Sequence, residues 1–145
     1  MKITSSAFEN NSKIPTKYTC DGESVNPPLS FIDIPTDAKS LVLIMDDPDA
    51  PMGTFVHWIL FNMDPKISQI KENSIPQSTA QGITSVGKVA YVGVCPPSGT
   101  HRYFFKLYAL DTVLNPVNPD KSALGKEMQR HIIDKAELIG LYNRI

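Results

Sequence analysis

The sequence predicts a mainly β protein, an antiparallel sandwich with one or two helices at its edge. Three observations carry this. Twelve prolines run from Pro15 to Pro119, and proline is not tolerated inside helices, so most of the chain has no room for a long one. Between the prolines lie short apolar runs bounded by turn residues, the pattern of strands and tight connections. Beyond Pro119 lies the one long proline-free stretch with helical spacing, where Leu124, Met128 and Ile132 recur every four residues.

The elements follow in order. Residues 40–45 form a wholly apolar strand apart from Ser40, closed by the turn sequence Asp46-Asp47-Pro48-Asp49-Ala50-Pro51. Residues 55–62 and 86–94 are expected as two further strands, and 101–110 as the most regular. Segments 3–5, 28–32 and 81–84 carry weaker strand patterns. A helix is expected over 121–132 with Ser122 as its N-cap, then a last strand over 136–142. At 145 residues this is one domain, 1–145, with no repeat or linker.

Composition excludes several roles. Fourteen basic and fifteen acidic residues give a net charge of -1, which supplies no bulk attraction to nucleic acid or anionic lipid. No apolar run is long enough for a transmembrane helix, and the N-terminus has no apolar signal core, so a cytoplasmic location is expected. Cys20 and Cys95 make no disulfide scaffold; whether they pair is open, and a redox-sensitive pair is one outcome. Nucleophile-elbow, P-loop, dinucleotide and Cys-x-x-Cys motifs are absent.

Three features carry chemistry. The acidic turn holds Asp46, Asp47 and Asp49 at the mouth of a buried strand, where like charges need a proton or a cationic donor nearby. As a bare turn the segment needs no function. His57 follows within a strand; period-two alternation puts it on one face with Phe55, Ile59 and Phe61, and Trp58 on the other. A core histidine is the plain reading, with an upstream aspartate as partner. The stretch from Gly93 through Cys95-Pro96-Pro97 to Gly99-Thr100-His101-Arg102-Tyr103 pairs a stiff loop with a strand whose His101, Tyr103, Phe105 and Leu107 share a face. Such a loop can present backbone N–H groups to an oxyanion, or simply connect two strands. His131, beside the helical stripe, reads as structural or exposed.

Taken together these stretches resemble the phosphatidylethanolamine-binding protein family, in its bacterial and archaeal Raf-kinase-inhibitor-like branch. The resemblance rests on Tyr18-Thr19-Cys20-Asp21-Gly22-Glu23 with Asn26-Pro27-Pro28-Leu29, on Asp47-Pro48-Asp49-Ala50-Pro51, on His57-Trp58 with Asn62, and on Gly93, Cys95-Pro96-Pro97 and Gly99-Thr100-His101-Arg102-Tyr103-Phe104. The ending Ala136-Glu137-Leu138-Ile139-Gly140-Leu141-Tyr142 is similar to that of short bacterial members. The resemblance implies a Greek-key β-sandwich with a small pocket at one end that holds phosphate or a phosphorylated head group. Its residues would be Asp47, Asp49, His57, Gly93, Cys95, Pro97, His101 and Tyr103. It implies no cofactor, no metal and no established catalysis. Family members inhibit kinases or serine proteases or act in signalling, and short bacterial members are often dimers, which no exposed stripe here argues for. Only five residues separate Pro51 from His57, where animal members carry an insertion, so a more open pocket is expected.

The resulting expectation is an anion hole. His57 and His101 donate ring N–H groups across one cavity, the loop N–H groups and Tyr103 add donors, and Asp47 and Asp49 orient the histidines. The alternative is a hydrolase that uses the same aspartates and histidines for zinc or acid–base chemistry, or Cys95 as a nucleophile.

Overall fold

The computed structural model describes residues 1–144. In chain order the elements are β1 (Lys2–Thr4), β2 (Ser12–Lys13), a 3-10 turn (Thr16–Tyr18), β3 (Leu29–Ile32), β4 (Ser40–Asp47) and β5 (Phe55–Met63). There follow β6 (Gln69–Ile70), β7 (Ala80–Gln81), β8 (His101–Leu110), α1 (Lys121–Met128) and β9 (Ile132–Tyr142). They build two sheets, a smaller one ordered β1-β3-β6 and a larger one ordered β2-β9-β8-β4-β5-β7. The mainly β architecture with one short helix is as expected.

Strand β4 lies inside the larger sheet and is buried along its whole length. Both its faces are covered, which explains its uninterrupted apolar sequence. Alternation sends Leu41, Leu43 and Met45 into the core between the sheets, against Ile3, Phe31, Ile70, Phe105 and Leu107. Val42 and Ile44 face the other way, into a second cluster with Ile59, Phe61 and Leu114 that is closed by Leu124 and Met128 of α1. Each buried aliphatic side chain of this kind contributes about 1.5–3 kcal/mol.

Several boundaries differ from expectation. Residues 86–94 are not a strand. Gly87, at φ +78°, turns the chain so that the Thr84 N–H donates to the Lys88 carbonyl, and Val86 and Val89 are left half exposed. The segment instead runs beside β5 without forming a ladder, the Ser85 N–H donating to the Val56 carbonyl and the Val92 N–H to the His57 carbonyl. Only Val94 makes a bridge, a parallel one to Thr19. The larger sheet is not wholly antiparallel, because β2 pairs with β9 in parallel. The helix ends at Met128 and is capped by Asp120, whose side chain accepts from the Ala123 N–H at 2.8 Å; Ser122 lies within the first turn. The last strand begins at Ile132, four residues before the expected start. His131 bonds Asp111 at 2.8 Å on the surface, in line with a structural reading. Among the described residues no helix is long and apolar enough to cross a membrane.

Gly140 of β9 is needed where the sheet meets the N-terminal segment. A Cβ there would lie 2.4 Å from Cγ1 of the fully buried Ile14 and 3.0 Å from the Phe8 ring. Overpacking of this kind costs about 1–3 kcal/mol. Gly140→Ala is therefore expected to lower the unfolding free energy by that amount, read as a lower urea midpoint at unchanged slope, and an unshifted midpoint would show that the contact relaxes freely.

Candidate functional site

Strand alternation sends the three clustered aspartates to three different partners. Asp46 ends up on the outer face, where its Oδ2 accepts from Lys121 at 2.7 Å and Lys106 at 3.1 Å. Asp47, one residue on, faces inward. Its Oδ2 accepts from the His101 Nδ1–H at 2.6 Å, and its Oδ1 takes the Asp49 N–H at 2.8 Å, closing the turn. Asp49 points outward and grips Arg102: Oδ2 accepts from the Arg102 backbone N–H and Nε, and Oδ1 from Nη2 at 2.8 Å. The guanidinium fork holds the Asp49 carboxyl down at about 2. Asp49 thus orients an arginine rather than a histidine.

His57 is the extra residue of a bulge. Met45 pairs with Trp58 but Asp46 pairs with Val56, so His57 has no partner across the ladder. The bulge overturns the expected facing. Trp58 and Leu60 enter the inter-sheet core, Ile59 and Phe61 the outer cluster, and His57 turns to the inner side, 5.4 Å from the Tyr103 ring and 4.7 Å from Phe55. Its partner is not an aspartate. Nδ1 lies 2.7 Å from the Val92 carbonyl, an acceptor, so Nδ1 carries the proton and Nε2 is free. Burial pushes the His57 pKa below its usual value, against the opposing pull of the Val92 bond and the charges of Asp47 and Asp46. The ring is therefore neutral at pH 7.

Beside these residues lies a cavity of about 330 Å³. Of the expected site residues, Asp47, His57, Gly93, Cys95, Pro97 and Tyr103 line it. Asp49 and His101 do not. His101 is buried behind Asp47, with its ring stacked 6.4 Å from Tyr103, so the two histidines do not face one another across an open space. The remaining walls, Ala50, Pro51, Phe55, Val86, Val92 and Pro96, were read from the sequence only as members of turns or strands and not as site residues. Aromatic or aliphatic residues at strand ends carry no signal that separates a wall from ordinary core. The floor carries a poorly satisfied donor: Tyr103 is fully buried, and its hydroxyl makes no hydrogen bond of ordinary geometry among the described residues, although the Asp47 carboxylate lies near it. Burial first, then the Asp47 charge and the weak interaction with that carboxylate, pushes its pKa far up, so it remains a donor throughout the working range.

The loop over the cavity is tied to the segment following the 3-10 turn. The Cys20 N–H donates to the Val94 carbonyl at 3.0 Å, the Tyr91 hydroxyl to the Tyr18 carbonyl at 2.7 Å, and the Val92 N–H to the His57 carbonyl at 2.9 Å. Gly93 packs so closely that a Cβ would meet the Ser24 Oγ at 2.1 Å and the Thr19 carbonyl carbon at 3.2 Å. A side chain there would have to displace Ser24 and press on the Thr19 backbone, a constraint set behind the loop and not by the cavity. Cys20 and Cys95, left open by the sequence, are joined in a disulfide across 75 residues, so Cys95 is no free nucleophile in this state. No set of three or more His, Cys, Asp or Glu side chains converges as a metal-ligand group among the described residues.

Two outcomes follow from these contacts. Closing a loop of that length constrains the unfolded chain by about 4 kcal/mol, so a dithiol should lower the unfolding free energy by up to that amount in a denaturant titration; no loss would mean the bridge adds nothing. His57 has its folded-state pKa lowered below the unfolded value near 6.5. The unfolded chain therefore takes up the proton first, and the stability of the neutral buried ring is full above pH 6.5 and lost as the pH falls below it. The melting temperature should drop between pH 7 and 5, and drop less in His57→Gln; equal drops would remove the assignment. The Asp49 contribution, present above pH 3.8, should be lost only as the pH falls towards 2.

Comparison with known proteins gives the family and the fold. The profile of the family described as phosphatidylethanolamine-binding protein matches residues 4–143. A UPF0098 protein of Methanothermobacter thermautotrophicus is 46% identical over 99% of both chains. Among solved structures, the phosphatidylethanolamine-binding protein homologue CT736 of Chlamydia trachomatis superposes with a TM-score of 0.96 at 43% identity, covering 99% of this chain and 97% of that one. YbcL of Escherichia coli, described as a member of the mammalian family, superposes with a TM-score of 0.92 at 26% identity, covering 99% and 98%. The chain belongs to the phosphatidylethanolamine-binding protein family.

Proposed function

We propose that the cavity binds a phosphate-like anion or phosphorylated head group, and that it does so with one proton shared between guest and site. The observation that carries this reading is the buried Tyr103 hydroxyl, a donor with no well-formed hydrogen bond among the described residues, at the floor of a cavity that His57 and Asp47 also line. A buried hydroxyl left unpaired costs about 1–3 kcal/mol, which an anionic oxygen would recover. The loop leaves the N–H groups of Gly93 and Cys95 without partners among the described residues, and these add donors at the wall.

The floor also restricts the form of the guest. Asp47 is an acceptor, and neutral His57 presents an Nε2 lone pair. A phosphate dianion meets repulsion from both. A guest carrying one P–OH donates that hydrogen to the Asp47 carboxylate, or a protonated His57 donates Nε2–H to the guest. His101 acts through Asp47, holding the carboxylate in place. A kinase or protease partner, as the resemblance implies, would meet the cavity's exposed rim at Pro51 and Pro97.

Phosphate affinity measured from pH 5 to 8 should therefore fall as the pH rises, and an affinity independent of pH would remove the shared proton. Tyr103→Phe should weaken binding about tenfold or more with the fold intact, since a hydrogen bond to a charged group contributes about 1.5–3 kcal/mol. The reading is one of binding without turnover. Release of nitrophenol from p-nitrophenyl phosphate, lost in His57→Gln, would replace it with the hydrolase.

A further inference from the structure

The Cys20–Cys95 bridge lies at the rim of the cavity, and both cysteines are exposed. Exposed disulfides are the ones that reductants reach. One end is anchored. Cys20 is followed by Asp21, whose carboxylate takes the Tyr142 hydroxyl at 2.7 Å and Arg144 Nε at 3.1 Å, and by Gly22, whose N–H donates to the Thr19 carbonyl. The other end is not. Backbone bonding of the loop stops at the Val94 carbonyl and resumes at His101, which pairs with Tyr142. Between them, residues 95–100 make no hydrogen bond to the rest of the molecule among the described residues, and Gly99 sits at φ +70°. The bridge is the one covalent tie across this segment, and Cys95, Pro96 and Pro97 form a wall of the cavity.

We propose that this disulfide is a redox clasp on the binding cavity: oxidised, it holds the Cys95–Pro97 wall against His57 and Tyr103; reduced, it releases that wall and weakens binding. The proposal rests on the anion-binding reading of the cavity. The reductant is a dithiol. One of its thiolates attacks a bridge sulfur, the S–S bond breaks, and a mixed disulfide forms. The second thiolate displaces it, so that two electrons pass to the bridge, each cysteine ends as a thiol bearing one proton, and the reductant leaves as its own disulfide. Two consecutive prolines stiffen the wall, so freedom gained at Cys95 moves Pro96 and Pro97 together. A reducing compartment would hold the protein in its weak-binding form, and oxidation would switch binding on.

The test compares the full chain oxidised, the full chain reduced with a dithiol, and Cys20→Ser, which breaks the bridge but leaves Cys95 in the wall. Inorganic phosphate is the probe, by calorimetry below the melting transitions. Backbone order parameters from nitrogen-15 relaxation are read in parallel at Cys95, Ser98, Gly99 and Thr100, with β4 amides as the control. Expected are at least a tenfold loss of phosphate affinity in both bridge-free forms, and lower order parameters confined to 95–100. Affinity within twofold of the oxidised form, or tighter, overturns the gating. Unchanged order parameters at 95–100 overturn the clasp. A fall in β4 as well would make the bridge a staple of the whole fold, and overturns it too. If the oxidised chain takes up no phosphate, the anion-binding reading fails instead, and the order parameters alone decide whether the bridge restrains the wall.

Discussion

The cavity is organised by a carboxylate held at the end of a buried strand. Asp47 is almost fully shielded from water, and a charge in that position survives only where donors replace the water it has lost. His101 supplies one and the Asp49 backbone another. With both in place, the carboxylate faces Tyr103 and the cavity in a fixed orientation. Without His101, a lone buried charge would remain, a situation that typically costs far more than the pair contributes. The sandwich delivers these groups together because β4 and β8 are neighbours and the strand that begins at His101 starts level with the end of β4.

The polar groups divide by environment. Outward-facing Asp46 and Asp49 find lysine and arginine, and their charges are balanced at or near the surface. The inward-facing groups have no basic side chain of that kind. They work with a histidine pair, a neutral ring bonded to a carbonyl, and a poorly satisfied phenol. Such a floor is rich in acceptors and poor in fixed positive charge. Recognition there depends on where protons sit rather than on net charge, which is consistent with the near-neutral balance of the whole chain.

The wall opposite is set by a different kind of constraint. Gly93 lets the loop press against Ser24 and Thr19, the short bonds at Val92 and Val94 hold its first half, and the disulfide holds the rest. Residues 86–94 read as a strand because Val86, Val89, Val92 and Val94 are β-branched, and propensity of that sort describes a half-buried pleated surface. Here the turn at Gly87 and the tie of Val94 to Thr19 lead the chain away from β5 before a ladder forms. The valines serve as cavity wall and loop anchor instead.

Much of the protein was legible in its residues. Proline spacing and apolar runs led to the strand-rich class and the continuous apolar stretch before Asp46 to the central strand, because these depend on local chemistry and on alternation along a single strand; the family resemblance supplied the candidate site residues, of which Asp49 and His101 do not line the cavity. Other features depend on what each segment meets across space. One inserted residue at His57 reversed a facing that strict alternation had assigned, and the same bulge replaced an aspartate partner by the Val92 carbonyl. The burial of His101 behind Asp47, the grip of Asp49 on Arg102 and the joining of Cys20 to Cys95 likewise require knowing which strands lie side by side. Period-two patterning carries no information about register shifts or about contacts between residues fifty or more positions apart, so these were decided by the packing of the sheets.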